Sequence, residues 1–317
     1  MPRLPIIIDT DPGIDDAVAI LLVLASPEFD LRGLSVVSGN VPLADTLRNT
    51  LQVCELAGRP DVPVFAGCDR PLLRAPVLGL FSGREGLGGV VLPPPAMAPQ
   101  PVHAVDFLVA SLGKAARAGE KITLCALGPL TNVAVALAHS PGIAAGIERI
   151  VLMGGGFKEL GNRSISAEFN MLVDPHAASI VFEAGIPITM LPLDVTHQAL
   201  ATPRRIEVLR GIDNPVARVV AEILTIWDRK DIDRFGELGG PLHDPLVFDY
   251  LLRPDHYSGR KARVWIEHTS ELTMGQTVAD WWGKTKETPN AEVITKVDAQ
   301  AFFDLLGERL GRYPLAA

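Results

Sequence analysis

The segment from Ile6 to Leu22, IIIDTDPGIDDAVAILL, constrains the fold of this chain more than any other stretch. Its three consecutive isoleucines are β-branched and predict a strand that is buried on both faces of a parallel sheet. Pro12 and Gly13 predict a turn, and the apolar residues that follow from about Asp15 have helical spacing. We therefore expect a strand, a turn and a helix, with the turn at the sheet edge where open α/β proteins bind ligands.

Four carboxylates crowd this turn, those of Asp9, Asp11, Asp15 and Asp16. They repel one another unless an opposite charge lies nearby. The dipole of a helix N-terminus would favour Asp15 and Asp16, but Asp9 and Asp11 lie on the strand side of the turn. A hard divalent cation, Ca²⁺ or Mg²⁺, takes carboxylate oxygens and accounts for the whole set. The segment therefore predicts a metal site.

Strand and helix patterns alternate along the 317 residues. This alternation predicts an open α/β fold, a mostly parallel sheet with helices on both faces. The length allows one large domain or two small ones. Because the chain shows no repeat and no linker, we expect a single domain over residues 1–317.

Composition excludes several functions. The net charge of −8 and the absence of long basic runs argue against a nucleic-acid partner. No apolar stretch is long enough to cross a bilayer. The three cysteines have no zinc-ligand spacing, and free thiols fit a reducing compartment. The first strand begins almost at the N-terminus, without room for a signal peptide, so we expect a cytoplasmic protein.

Polar residues follow other predicted strands as well. Asn40 comes directly after a strand and is either a turn former or a ligand at the acidic edge. The irregular segment 157–170 holds Asn162, Glu168 and Asn170, which suit the hydroxyls of a sugar-like ligand or are simply polar groups on the surface. Residues 68–100 are rich in glycine and proline, and we interpret part of this long loop as a mobile flap over the site.

Several motifs occur together in one order: DTDPGIDDA at 9–17, SGN at 38–40, LGPLTN at 127–132, VLMGGG at 151–156, AEFN at 167–170, DVTHQAL at 194–200 and LHDP at 242–245. With these motifs the chain resembles the nucleoside hydrolases, the inosine–uridine-preferring family, over nearly its whole length. The resemblance implies a Rossmann-like α/β fold, a tightly bound Ca²⁺ and hydrolysis of the N-glycosidic bond of ribonucleosides. It also implies small-molecule substrates and a homodimer or homotetramer.

The resemblance assigns roles residue by residue. The implied metal ligands are Asp11, Asp16, the main-chain carbonyl of Leu127, and Asp244. Asp11 is also the implied general base on the calcium-bound water, and His243 is the candidate acid for the leaving nucleobase. The residues expected to bind the ribose hydroxyls are Asp15, Asn40, Asn162, Glu168 and Asn170. Asp9 is expected to orient the site from behind these residues.

The residues expected to contact the base depart from the family pattern. Members that hydrolyse pyrimidine nucleosides often have a histidine in the flap, where this chain has Ser82. In place of the usual tyrosines or glutamine before the HDP motif, it offers Trp227, Asp231 and Phe235. The choice between purine and pyrimidine nucleosides therefore stays open.

Two other interpretations compete with hydrolysis of nucleosides. Asp9-Thr10-Asp11 also fits the Asp-x-Asp of haloacid-dehalogenase-type phosphohydrolases, although Gly13 and the Asp15–Asp16 pair do not fit that family. A non-catalytic protein that binds nucleosides or calcium on the same scaffold is the second alternative.

Overall fold

Nine strands form the central sheet in the part of the chain described by the structure, a computed structural model covering residues 3–79, 83, 85–225, 235 and 239–315. The strands in chain order are β1 Leu4–Thr10, β2 Phe29–Val36, β3 Val64–Ala66, β4 Ile122–Ala126, β5 Ile147–Met153, β6 Ile188–Leu191, β7 Leu200–Ala201, β8 Gly240–Pro241, β9 Tyr257–Ile266, β10 Thr277–Asp280 and β11 Ala291–Val297. The central sheet has the order β10-β9-β11-β6-β5-β4-β1-β2-β3, and β7 and β8 pair separately.

The sheet is parallel from β11 to β3, and β9 and β10 are added antiparallel at one edge. From β1 the chain first builds outward through β2 and β3, then returns to place β4 on the other side of β1. The strand order therefore reverses between β1 and β4. Ligands of open α/β sheets bind at the carboxyl edge of such a switch point.

Helices cover both faces, which confirms the predicted fold class. They are α1 Ile14–Leu24, α2 Leu43–Leu56, α3 Ala104–Ala118, α4 Thr131–His139, α5 Phe169–Val173, α6 Pro175–Phe182, α7 Leu193–Thr196, α8 Pro203–Arg210, α9 Pro215–Thr225, α10 Pro245–Leu252 and α11 Ala299–Leu310, with short 3₁₀ helices at Pro141–Gly146 and Pro254–His256. Two apolar clusters result, one on each face of the sheet.

The first strand explains how one segment serves both clusters. Ile6, Ile7 and Ile8 are fully buried. Because side chains alternate along a strand, Ile6 and Ile8 pack in the cluster that contains α1, and Ile7 packs in the opposite cluster. The predicted burial of this strand on both faces is confirmed.

Two details of the elements do not follow from sequence patterns. The span 202–233 looks helical in the sequence, and its described part contains two helices, because Thr202 and Asn214 each cap a new helix. Pro215 begins the second helix, and its ring fixes a helical φ without requiring a donor. Strand β10 was not predicted, because four residues at a sheet edge carry little pattern.

The glycine-rich loop is attached on both described sides of its tip, to the turn after β2 and to α2. The Gly79 N–H donates to the Gly39 carbonyl at 3.1 Å, and Asn49 Nδ2 donates to the Glu85 carbonyl at 2.7 Å. Leu87 beyond it is buried. The flap remains a prediction, because residues 80–82 and 84 lie outside the described residues.

Two further observations concern the cysteines and the length of the helices. Cys54, Cys68 and Cys125 are free thiols, and Cys125 lies in the core. None of the described helices has the length and apolar character needed to span a bilayer.

Candidate active site

Four acidic residues follow β1 directly at the switch point. Asp9 is within the strand, Asp11 begins the turn, and Asp15 and Asp16 lie in the first turn of α1. Asp9, Asp11 and Asp16 are buried, whereas Asp15 is half-buried. The predicted crowding of carboxylates at the carboxyl edge is therefore present.

Asn40 joins Asp11 to Asp16. Its backbone N–H donates to Asp11 Oδ2 at 2.7 Å, and its Nδ2 donates to the Asp11 carbonyl at 3.2 Å and to Asp16 Oδ2 at 3.3 Å. Asn40 follows β2, which pairs in parallel with β1, so the two strand ends meet as expected. Asn40 therefore lies at the acidic edge, and its role as a ligand stays a prediction.

Asp16 is held by donors from the turn in front of it. Thr10 Oγ1 donates to Asp16 Oδ1 at 2.6 Å, and the Gly13 N–H donates to Asp16 Oδ2 at 3.0 Å. By contrast, Asp11 Oδ1 is buried without a hydrogen-bond partner in the described part of the chain. A buried carboxylate oxygen without a donor is costly unless a cation neutralises it.

Asp244 comes to this centre from the start of α10. One carboxylate oxygen each of Asp15, Asp16 and Asp244 lies within 4.8 Å of the others. Burial, followed by the charges of Asp15, Asp16 and Asp11, raises the pKa of Asp244 well above its usual range. Burial and the nearby Asp16 do the same to the pKa of Asp11. Like charges this close favour the protonated forms until a cation is present.

Two glycines enclose the Asp11 carboxylate. A Cβ at Gly39 would clash with Asp11 Oδ2, and a Cβ at Gly128 would clash with Asp11 Oδ1. The backbones after β2 and β4 can therefore approach the acid only because neither residue has a side chain.

Asp9 is held behind Asp11 rather than beside the other acids. Ser35 and Asn132 both donate to Asp9 Oδ1, the latter at 2.9 Å. Burial raises the pKa of Asp9 to about 7, although these two hydrogen bonds oppose the rise.

Two of the predicted sugar-binding residues, Glu168 and Asn170, lie at the same edge, at the start of α5. Glu168 accepts backbone N–H groups from Gly155 at 2.9 Å and Asn170 at 2.9 Å. Asn170 Nδ2 donates to the Leu127 carbonyl at 2.6 Å, which links this segment to the end of β4. Burial raises the pKa of Glu168 to about 7. Asn162 is exposed, and its Oδ1 accepts the Phe169 N–H at 2.9 Å.

His243 lies next to Asp244 and contacts the turn after β6. Its Nδ1 is 2.7 Å from Thr196 Oγ1. The ring of His197 is 5.9 Å from the His243 ring and 5.0 Å from the Phe235 ring, measured between centroids. Phe235 is therefore near the histidines, whereas the other residues predicted to contact the base, Ser82, Trp227 and Asp231, lie outside the described residues.

Sequence reasoning missed the residues that hold the acids and the histidine. Thr10, Gly39, Gly128, Asn132 and Thr196 were given no individual role. Their positions beside charged residues at strand ends were the available signal, but small and amide side chains are too common in turns to single them out.

The residues present fit a divalent cation. The donors are carboxylate and carbonyl oxygens, the ligand type that Ca²⁺ and Mg²⁺ prefer. Asp11 Oδ1 has no hydrogen-bond partner within the described part of the chain, and Asp15, Asp16 and Asp244 place three carboxylates together. Both observations favour a positive charge at this site. The fold and this site define an α/β protein with an acidic centre at a topological switch point.

Comparisons with known proteins identify the family. Residues 6–304 match the inosine-uridine preferring nucleoside hydrolases. The chain is 49% identical over 312 residues to an uncharacterized protein of Schizosaccharomyces pombe, covering 98% of this chain and 99% of that one. It is 44% identical over 313 residues to the pyrimidine-specific ribonucleoside hydrolase RihA of Klebsiella pneumoniae, with the same coverage.

A solved structure agrees with these relatives. The purine-preferring ribonucleoside hydrolase from Gardnerella vaginalis matches with a TM-score of 0.88 at 31% identity, covering 96% of this chain and 98% of that one. The chain therefore belongs to the inosine-uridine preferring nucleoside hydrolase family. It is an enzyme, a ribonucleoside hydrolase that cleaves N-glycosidic bonds, and its family is metal-dependent. The phosphohydrolase interpretation is thereby set aside.

Proposed function

We propose that this enzyme is a calcium-dependent hydrolase of pyrimidine ribonucleosides that releases the free base and ribose. The observation that carries the mechanism is the buried Asp11 Oδ1, which has no hydrogen-bond partner among the residues that the structure describes. It lies at the edge that also holds Asp16, Asp244 and Glu168. A carboxylate oxygen in this state can bind a cation or accept a proton from a water molecule.

The residues proposed to hold Ca²⁺ are Asp11, Asp16, the Leu127 carbonyl and Asp244. When bound, a divalent cation lowers the pKa of a water ligand and offsets the carboxylate charge, although Ca²⁺ acidifies water less than Zn²⁺ does. Asn170 already donates to the Leu127 carbonyl, but a carbonyl oxygen has a second lone pair for a further partner.

Asp11 is proposed to accept the proton of the attacking water. Asn40 holds Asp11 Oδ2 through its N–H, so Oδ1 is the oxygen left to accept the proton. General base catalysis of this kind contributes about 10²–10⁴-fold.

The proposed ribose-binding residues are Asp15, Asn40, Asn162, Glu168 and Asn170. Cleavage of a ribosyl–nitrogen bond builds positive charge on the sugar ring. Carboxylates fixed near the ring stabilise that charge, which suits Glu168 because three backbone N–H groups hold its oxygens.

His243 is proposed to protonate the leaving base. A nucleobase departs poorly as an anion, and histidine is the side chain whose ordinary pKa allows it to donate a proton near neutral pH. Ser82, Trp227, Asp231 and Phe235 are proposed to lie on the base side, and Phe235 is supported by its place beside His197.

The pyrimidine preference is inferred from the relatives. The identity to the pyrimidine-specific RihA is 44%, against 31% to the purine-preferring enzyme. A role in nucleoside catabolism and salvage follows from this activity. A homodimer or homotetramer in the cytoplasm, with neither nucleic acid nor membrane as a partner, is proposed from family resemblance, net charge and the free thiols.

A substrate panel tests this function. Uridine, cytidine, inosine and their deoxy forms are assayed for sugar and base release, before and after prolonged chelation and after Ca²⁺ or Mg²⁺ is added back. We expect fastest release from the pyrimidine ribonucleosides and recovery of activity with Ca²⁺. Binding of uridine without release of uracil would instead identify a non-catalytic nucleoside-binding protein.

The role of Asp11 needs a separate variant. We expect Asp11→Asn to lower kcat for uridine by at least about 10²-fold, because the amide can neither accept the proton nor supply a charged ligand. Asp61→Asn, at an exposed carboxylate paired with Arg59, is the matched control and should keep full activity. An Asp11→Asn enzyme with near-normal kcat would exclude the base role.

A further inference from the structure

The Nδ1 side of the His243 imidazole contacts a buried hydroxyl. Thr196 Oγ1 lies 2.7 Å from His243 Nδ1. Thr196 is fully buried and ends α7, the short turn after β6. Thr196 takes no part in the proton transfers proposed for Asp11 and His243.

The turn that carries Thr196 is itself fixed to the edge of the sheet. The Thr196 N–H donates to the Pro192 carbonyl at 3.1 Å, and the Leu193 N–H donates to the Gly155 carbonyl at 2.8 Å. A buried hydroxyl on an anchored backbone has few rotamers to choose from. Its oxygen is therefore a fixed point against which the histidine ring can be oriented.

We propose that Thr196 is a positioning residue for cleavage of the glycosidic bond, fixing the His243 ring so that Nε2 faces the leaving base. This inference rests on the proposed role of His243 as the acid. Because Nδ1 is engaged by Thr196, the proton that His243 passes to the base comes from Nε2. In that step the C1′–N bond breaks, its electron pair stays with the base, and the water oxygen bonds to C1′.

A hydroxyl is suited to this task because it can either donate or accept. It satisfies Nδ1 whether or not that nitrogen carries a proton, so the contact persists before and after the proton leaves Nε2. A carboxylate at position 196 can only accept and would favour the form in which Nδ1 carries a proton. The partner of one ring nitrogen commonly decides the tautomer and orientation of a functional histidine.

A purely structural role for Thr196 makes a different prediction. A buried hydroxyl that only satisfied its own hydrogen bond would affect every substrate equally when removed. A residue that positions the acid matters only when the leaving group needs a proton. The leaving group therefore separates the two roles.

The experiment compares uridine with p-nitrophenyl β-D-ribofuranoside, whose nitrophenolate departs without protonation. The variants are Thr196→Val, which keeps the shape and removes the hydroxyl, Thr196→Ser, which keeps the hydroxyl, and His243→Ala as the reference. We expect Thr196→Val to lower kcat on uridine at least about tenfold, part of the 10²–10⁴-fold value of acid catalysis. Turnover of the nitrophenyl riboside should stay within about twofold, and Thr196→Ser should restore turnover of uridine.

The outcomes separate this inference from the proposed function. Equal losses of Thr196→Val on both substrates, repeated in Thr196→Ala in case the valine variant misfolds, would overturn the inference. So would an unchanged kcat of Thr196→Val on uridine while His243→Ala is impaired. A wild-type enzyme that released no uracil would instead overturn the proposed function. An unimpaired His243→Ala would remove the acid role and the inference with it.

Discussion

At the scale of single residues, the site depends on the space available to the Asp11 carboxylate. The acids of Asp11 and Asp16 are held by Asn40, and the space around Asp11 is limited by Gly39 and Gly128. Neither glycine has a left-handed φ, so each is required for space rather than for backbone conformation. Substitution by alanine, which adds only a Cβ, tests whether this space is needed.

We predict that Gly128→Ala lowers kcat on uridine by at least about 10²-fold, because its Cβ displaces the Asp11 carboxylate, and small displacements of catalytic groups cost about this much. Gly142→Ala is the matched control, since a Cβ there meets nothing within 4 Å. Steady-state kinetics measure the effect, and circular dichroism checks that both variants fold. Comparable activity of the two variants would contradict the spatial argument.

The sequence predicted where the acidic residues lie, but not which residues contact and position them. Asp9, Asp11, Asp15 and Asp16 could be placed at one edge because an apolar strand, a turn and a helix are local patterns. Asp244 is distant in sequence, and only the family resemblance joined it to them. The contacts of Gly128 and Thr196 depend on how β4 and β6 lie in the sheet, which no local pattern encodes.

At the scale of elements, α7 connects two parts of the site. Asp194 Oδ2 accepts the Phe157 N–H at 2.9 Å, and Asp194 Oδ1 accepts the N–H groups of Lys158 at 2.9 Å and Glu159 at 3.1 Å. The same turn presents Thr196 to His243. The segment 157–170, which carries the proposed sugar-binding residues, is therefore attached to the turn that contacts the histidine.

We predict that Asp194→Ala raises KM for uridine by roughly tenfold, because charge-assisted hydrogen bonds to three backbone donors are lost and the segment is no longer held for the ribose. The matched control is Glu267→Ala, which removes a carboxylate that accepts the N–H groups of Thr269 and Ser270 in a turn without proposed site residues. Initial-rate kinetics over a range of uridine concentrations decide the matter. An unchanged KM would show that the segment holds its position without Asp194.

Element prediction succeeded where burial on both faces gave long apolar runs. The run of three isoleucines predicted a strand where β1 lies. Prediction failed where the determinants were contacts between distant segments. Strand β10 exists because it pairs with β9 at the sheet edge, and the interruption between α8 and α9 depends on the Asn214 cap, whose Nδ2 also donates to the Leu310 carbonyl.

At the scale of the whole molecule, the acidic centre couples folding to pH and to cations. Burial raises the pKa of Asp9 to about 7, of Glu168 to about 7, and of Asp15 and Asp16 to about 6, with the neighbouring Asp15 adding to the shift of Asp16. In the unfolded chain these carboxyls have the ordinary pKa values of 3.8 for Asp and 4.5 for Glu. Between the ordinary and the raised pKa values, the folded state therefore keeps protons that the unfolded chain has lost.

The sign of the effect on stability follows. Because the folded state binds more protons, the free energy of unfolding of the cation-free protein falls as pH rises from about 4 to about 7. A divalent cation requires deprotonated carboxylates, so the stabilisation it provides grows over the same range. We predict that the increase in Tm on adding Ca²⁺ is larger at pH 7.5 than at pH 5, as measured by calorimetry after chelation.

A variant and a control sharpen this test. Asp16→Asn should reduce the increase in Tm at pH 7.5, because it removes a proposed ligand and relieves repulsion in the cation-free state. Asp61→Asn, remote from the centre, should behave like the unaltered protein. A cation effect that did not vary with pH would argue against a centre built from these buried acids.

The two glycines around Asp11 also provide a means of sorting related proteins. Chains of this fold can keep the aspartates and yet have a side chain at the position of Gly39 or Gly128. In such chains the carboxylate of Asp11 would not fit where it lies in this structure. We expect such chains to retain the architecture while having lost turnover. The residues at the positions of Gly39 and Gly128 would then distinguish active hydrolases from relatives with another function.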